Sequence, residues 1–203
     1  MLPPYPLYFE DTHLLVVAKP GGLLTQPNES GEESLQESLK AWLKVRDQKP
    51  RGVFLHALHR LDKPASGLVL FAKSSKALQR LNAGERQLIR KKIYRVFVEG
   101  DFCLGEGTLT HWLLHKDHRA SVVAPHTAGA KLAILHYRIL LKEKGYTHLE
   151  VELKTGRYHQ IRCQLAYIGH PILGDKKYGS THNLSPPGVI ALHHAFLQIE
   201  HPV

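Results

Sequence analysis

The chain has 203 residues, 43% of them hydrophobic, with 27 lysines and arginines against 18 acids and a net charge of +9. That length and apolar content suit one domain, or at most two small ones, with a sizeable core. No apolar run approaches the ~20 residues of a membrane-spanning helix, and "MLPPYPLYFED" shows no basic region followed by an apolar one, which excludes a secretory signal as the reading of this start.

In chain order, "LYFEDTHLLVVAKPGG" reads as a short strand, a turn at Asp11-Thr12, and a strand from Leu14 to Ala18 stopped by Pro20-Gly21-Gly22. Residues 34–46 predict a helix. Ser34 and Glu37 form an S-x-x-E capping box, and Leu35, Leu39, Trp42 and Leu43 fall on one face. Lys49-Pro50-Arg51-Gly52 is a loop. A buried strand over 67–73 follows the polar knot Arg60-Leu61-Asp62-Lys63. Ser74-Ser75 can cap a helix running to about Arg90, with Leu78 and Leu81 as its stripe.

"KKIYRVFVEG" (91–100) is a strand whose alternation puts Tyr94, Val96 and Val98 on one face and Ile93, Arg95 and Phe97 on the other. Strands are predicted at about 107–114, 120–124, 131–142 and 146–154. A helix is expected over 155–169, begun near Thr155-Gly156 and ended by Gly169, with Ile161, Leu165 and Ile168 on one face. "GVIALHHAFLQIEHP" is a last strand. Strands mostly follow one another directly, which indicates α+β with a largely antiparallel sheet.

A basic domain of this size points to a polyanion, nucleic acid first; a solvated basic surface is the plainer alternative. The two cysteines, Cys103 and Cys163, lie far apart with no C-x-x-C, so a disulfide framework is not expected and a reducing cytoplasm is the default. His56 with His59, and His193 with His194, lack a Cys or carboxylate at zinc spacing, so no metal is expected. "GEGTLT" and "KPGGLLT" match neither a P-loop nor a dinucleotide fingerprint, and no nucleotide cofactor is indicated.

Three positions carry candidate chemistry. Asp62 sits between a polar loop and a buried strand, where a rigid scaffold can hold a reactive group. The plainer alternative is a loop carboxylate paired with Arg60 or Lys63. Tyr94 shares its face with valines, so it is either an ordinary core tyrosine or a ring that stacks on a base. Arg157 and Arg162 fall in the segment of the expected helix, and Arg162, one residue after Ile161 and three before Leu165, rides at the edge of its apolar face. They are either solvated cations or, for Arg162, a charge-assisted partner that keeps a carboxylate ionised.

"HRLDKPASGLVLFAK" resembles the catalytic motif of the RluA-type pseudouridine synthases, H-R-L-D-x-x-T-S-G-L-L-L-F-A. "KKIYRVFVEG" is similar to their K-x-Y strand, and "TGRYHQIRCQLAYIGHPILGDKKYG" to their T-G-R-x-H-Q-I-R segment and its G-H-P-I-x-G-D-x-x-Y-G continuation. "FEDTHLLVVAKPGGLLT" and "ALHHAFLQIEHP" are similar to the family's first and last strands. The blocks occur in family order over nearly the whole chain.

The resemblance implies a pseudouridine synthase fold: a mostly antiparallel mixed sheet, flanking helices and a central catalytic cleft in a single catalytic domain over 1–203. It implies isomerisation of uridine to pseudouridine in structured ribosomal or transfer RNA, with no cofactor. Asp62 matches the catalytic aspartate. Tyr94 matches the tyrosine that stacks on the target uracil and is implicated in proton transfer. Arg162 matches the arginine that pairs with that aspartate. Arg60 matches the residue thought to enter the RNA stack as the base leaves, and Ile161 and Leu165 fall where apolar side chains bracket the uracil. Arg157 belongs to the same segment and is expected to bind substrate. Ala65, Tyr158 and Cys163-Gln164 depart from the family pattern, at positions that bear on pocket shape and RNA fit. The chain is expected to be the catalytic core without the S4-like RNA-binding domain that many relatives carry in front, and to be a monomer. A catalytically silent RNA-binding module on the same fold, and a metal-dependent RNA hydrolase, are the competing expectations.

Overall fold

The computed structural model describes residues 2–103 and 105–202, with side chains outside 82–87. The chain divides into two compact units, one of Met1–Arg90 with Leu197–Val203 and one of Lys91–Phe196. No helix among the described residues is long and apolar enough to cross a membrane.

In the first unit, strands β1 (Leu7–Glu10) and β2 (Leu14–Lys19) are joined by a turn in which the Asp11 carboxylate accepts from the backbone N–H groups of His13 and Leu14, at 2.7 and 2.6 Å. This is the predicted turn, made by a side chain that bonds its own backbone. Helix α1 (Leu35–Arg46) starts as predicted, with Ser34 Oγ accepting from Glu37 N at 3.3 Å. Glu37 does not complete the capping box; its carboxylate meets Lys40 at 2.9 Å. Leu35, Leu39, Trp42 and Leu43 are all buried.

A two-residue strand, β3 (His56–Ala57), precedes β4 (Ser66–Ala72). Two residues carry no readable period, so the sequence does not announce β3. Strand β2 pairs antiparallel with both β1 and β4, in register from Leu14↔Ala72 to Lys19↔Gly67. Covered on both sides, Val69, Leu70, Phe71 and Ala72 have no exposed surface.

Helix α2 (Ser75–Leu88) is capped by Ser74 and packs Ala77, Leu78 and Leu81 with Leu14, Leu58 and Leu70. It stops two residues short of the expected Arg90. The Leu88 carbonyl accepts from Glu200 N at 2.8 Å, and the chain passes straight into a strand.

The second unit is built on an antiparallel sheet whose strand order is not the chain order. Strand β5 (Ile89–Glu99) pairs with β9 (Tyr146–Leu153), β9 with β8 (Lys131–Glu143), β8 with β6 (Glu106–Lys116), and β6 with β7 (Arg119–Val123). Asp117 and His118 turn β6 into β7 with both residues left-handed, at φ 49° and 56°, the backbone that matches strand twist in a two-residue hairpin. Tyr94, Val96 and Val98 are buried, as the alternation predicts. The last strand, β10, covers Leu192–Ile199.

Helix α3 is shorter than expected, covering Gln160–Tyr167 rather than 155–169. Thr155 Oγ1 and Arg157 N both donate to Gln160 Oε1, at 2.7 and 3.0 Å, while Ile134 N donates to Thr155 Oγ1 at 2.8 Å. These bonds hold 155–159 as a turn, and His159 at φ 51° cannot continue a right-handed helix backwards. The architecture is α+β with a mostly antiparallel sheet, as the strand pattern predicts.

Candidate active site

Asp62 lies half-buried on the loop that enters β4. Its neighbours in sequence are clamped from both sides. Leu61 N donates to Thr25 Oγ1 at 3.1 Å, and Thr25 Oγ1 donates to Leu61 O at 2.9 Å. On the other flank the Lys63 carbonyl accepts from Gly22 N at 2.8 Å and from Lys19 Nζ at 3.2 Å. The Asp62 carbonyl itself accepts from Ala65 N at 3.0 Å. A carboxylate whose backbone is bonded at 61, 62 and 63 has little positional freedom.

The clamp includes a buried cation. Lys19 is 1% exposed, and its Nζ also donates to the carbonyls of Pro20 at 2.9 Å and Leu23 at 2.7 Å. Three carbonyl acceptors use all three ammonium hydrogens. Burial pulls the Lys19 pKa down to about 8, and the charge of Asp62 opposes that fall. Lys63, one plain partner for Asp62, pairs with Glu32. Arg60 is exposed on the same loop.

In the second unit, Tyr94 is buried on β5 with His194 of β10 stacked on its ring at 4.6 Å and 19°. Ile161 and Leu165 are buried on α3. Arg157 is half-buried and its Nε donates to Leu132 O at 2.9 Å.

Arg162 is buried in a cage. Its Nε and Nη2 donate to the two carboxylate oxygens of Asp175, at 2.6 and 2.8 Å, and both side chains are nearly inaccessible. Its Nη1 lies 3.0 Å from His159 Nε2, and its guanidinium carbon sits 5.1 Å from the centre of the Tyr178 ring. A guanidinium only donates, so His159 Nε2 accepts and the imidazole proton sits on Nδ1. That nitrogen faces Tyr178 Oη at 2.9 Å. Tyr178 Oη in turn accepts from Ala120 N at 2.9 Å and donates to Ala120 O at 3.2 Å. Burial pushes the Tyr178 hydroxyl up to about 12, so it stays a neutral bridge.

Tyr94, Arg157, Ile161, Leu165 and Arg162 all fall in the second unit; Arg60 and Asp62 fall in the first. Six further residues support them that the sequence barely marks: Thr25 and Lys19 around the Asp62 loop, His194 on Tyr94, and Asp175, His159 and Tyr178 around Arg162. A lysine ending the apolar run "LLVVAK" is a weak signal of a buried cation. Asp175 and Tyr178 are letters of the G-D-x-x-Y-G block, but nothing in that block says that Asp175 pairs with Arg162, 13 residues before it.

The sequence from 13 to 167 matches the RNA pseudouridylate synthase family. That stretch contains Asp62, Tyr94 and Arg162 and is well over half of the chain. The chain belongs to this family. It is 32% identical to the ribosomal large subunit pseudouridine synthase D of Pseudomonas aeruginosa, covering 97% of this chain and 64% of that protein. It is 31% identical to the RNA pseudouridine synthase YhcT of Bacillus subtilis, with the same coverage. The chain therefore spans just under two thirds of the length of these relatives.

Among solved structures, human RNA pseudouridylate synthase domain containing 4 matches with a TM-score of 0.77 at 22% identity, over 95% of this chain and 83% of that one. Human RNA pseudouridylate synthase domain containing 1 matches with a TM-score of 0.78 at 20% identity, over 98% and 80%. Both are likenesses of fold.

Proposed function

We propose that the chain isomerises uridine to pseudouridine in structured RNA, ribosomal or transfer, with residues 1–203 acting as one cytoplasmic, monomeric catalytic domain. The observation that carries this is the Asp62 loop: a carboxylate clamped at 61 and 63 by Thr25, Gly22 and a buried lysine, at the position where the family's motif has its catalytic aspartate.

The target uridine leaves its stack so that Asp62 can reach the ribose, at a cost of a few kcal/mol. Arg60, exposed beside Asp62, takes the place of the departing base. Asp62 then either attacks C1′ or removes the C2′ proton. The N1–C1′ bond breaks, the uracil turns, and C5 bonds to C1′ as the Asp62–C1′ bond breaks or, in the second route, as the proton returns to C2′; C5 then loses its proton and N1 gains one. Tyr94 holds the detached ring and assists that last proton transfer. Ile161 and Leu165 bracket the uracil, and Arg157 binds the RNA. Arg162, oriented by Asp175 and His159, serves the aspartate as its cationic partner. The reaction has no net redox change and no hydrolysis, so it needs no metal or nucleotide cofactor.

The test is a pseudouridine map of total RNA by carbodiimide labelling, comparing cells with the protein, without it, and with Asp62→Asn. A site lost in both altered strains is the expected result. Measurable turnover by purified Asp62→Asn would falsify the assignment. RNA binding with no product from the intact protein would favour the silent binding module, and cleaved product sensitive to EDTA would favour a hydrolase.

A further inference from the structure

The hairpin joining β6 to β7 exposes five consecutive polar residues, His115, Lys116, Asp117, His118 and Arg119. Lys116 and Arg119 face each other across the turn as a strand pair. Lys177, from the 3-10 turn Lys176–Tyr178, donates from Nζ to His118 O at 3.0 Å. The Arg119 guanidinium carbon lies 5.2 Å from the Tyr178 ring centre. Lys116, Arg119 and Lys177 are thus gathered on one patch, with Lys176 next in sequence. Asp117 is the carboxylate of the turn; Asp175 is buried with both oxygens on Arg162.

Like charges held together repel unless an anion meets them. A solvated basic face needs no anchoring, whereas two of these cations are fixed by a carbonyl and an aromatic ring. The hairpin is itself braced. Tyr158 lies between His115 and His159, with ring centres 3.9 Å away on each side, and its hydroxyl donates to His118 O at 3.4 Å. This stack runs from His159, which touches Arg162, out to the exposed ring of His115. Tyr158 stands where the family pattern has Thr or Ser, so this chain has built an aromatic brace at a position where those residues cannot supply one.

We propose that the 115–119 hairpin and the Lys176–Lys177 turn form a grip on the RNA backbone beside the target nucleotide. Lys116, Arg119 and Lys177 take phosphates, and the His115 ring packs on a sugar or base. The proposal rests on the proposed RNA-modifying function and specifies where the RNA is held.

The experiment measures equilibrium binding of labelled bulk tRNA and of a ribosomal stem-loop transcript across a salt series. It compares the wild type with K116A/R119A/K177A and with K44A/K142A/K144A, which removes the same charge from elsewhere. The patch triple is expected to bind about tenfold more weakly at low salt, with a log–log salt slope shallower by about two to three, while the control triple changes little. Equal weakening by both triples, or wild-type binding by the patch triple, overturns the proposal. Should the patch triple melt early, Lys116→Glu alone is expected to weaken binding by about fivefold, and wild-type affinity there overturns it as well. Binding needs no turnover, so loss of binding in a protein that makes no pseudouridine would sustain the grip and sink the enzymatic assignment.

Discussion

Arg162 donates two hydrogen bonds to Asp175 in a site closed to water. Removing the carboxylate takes away the bidentate counter-ion of a buried guanidinium, so Asp175→Ala is expected to cost about 3–5 kcal/mol, read from urea midpoints. Asp175→Glu keeps the charge and should recover part of it. Tyr178→Phe deletes the hydroxyl that serves Ala120 and His159. It should cost about 1–3 kcal/mol, because it strands buried donors; a neutral result would mean that water takes over the bridge. Cys163 is buried with its thiol pushed up to about 11 by burial, whereas Cys103 is exposed. A thiol reagent should therefore label only Cys103 in the native chain and both cysteines after unfolding; rapid labelling of both in the native state would contradict this packing.

Between elements, Glu10 at the end of β1 ties three segments together. Arg46 at the end of α1 donates to both its oxygens, at 2.6 and 2.7 Å, and Lys73 just after β4 reaches it at 2.5 Å. The Arg46 bonds, with Lys73 in support, hold its carboxyl at about 2 against an ordinary 4.5. The folded state binds this proton less readily than the unfolded chain. The stabilisation is therefore complete above about pH 4.5 and lost as pH falls towards 2. It amounts to at most about 3 kcal/mol. Denaturant titrations of Glu10→Gln at pH 6, 4.5 and 3 should show a flatter acid profile than the wild type; parallel profiles would show that the clasp contributes nothing. At the start of α1, Ser34→Ala should cost about 1 kcal/mol through the lost cap to Glu37 N.

For the whole molecule, a net charge of +9 makes RNA affinity salt-dependent whatever the sequence read. Asp62→Asn should leave that dependence unchanged, since the role proposed for it lies in the chemistry. The order of the longer elements, the buried face of β5 and the α1 cap were legible from period and punctuation, because burial of alternate or every third and fourth side chain is a local pattern. So was the family, because motifs such as "HRLDKPASG" and "TGRYHQIR" are contiguous. The late start of α3 was not legible: Thr155, which bonds Gln160, is itself held by Ile134, 21 residues before it. Nor were the lysine under the Asp62 loop, 44 residues from the carbonyl it holds, or the carboxylate that occupies Arg162. Sequence alone determined which residues are available for the chemistry and which strands carry them. Tertiary structure decided which polar groups satisfy one another once buried, because a hydrogen bond between distant segments leaves no period in the chain and exists only after folding brings donor and acceptor within about 3 Å.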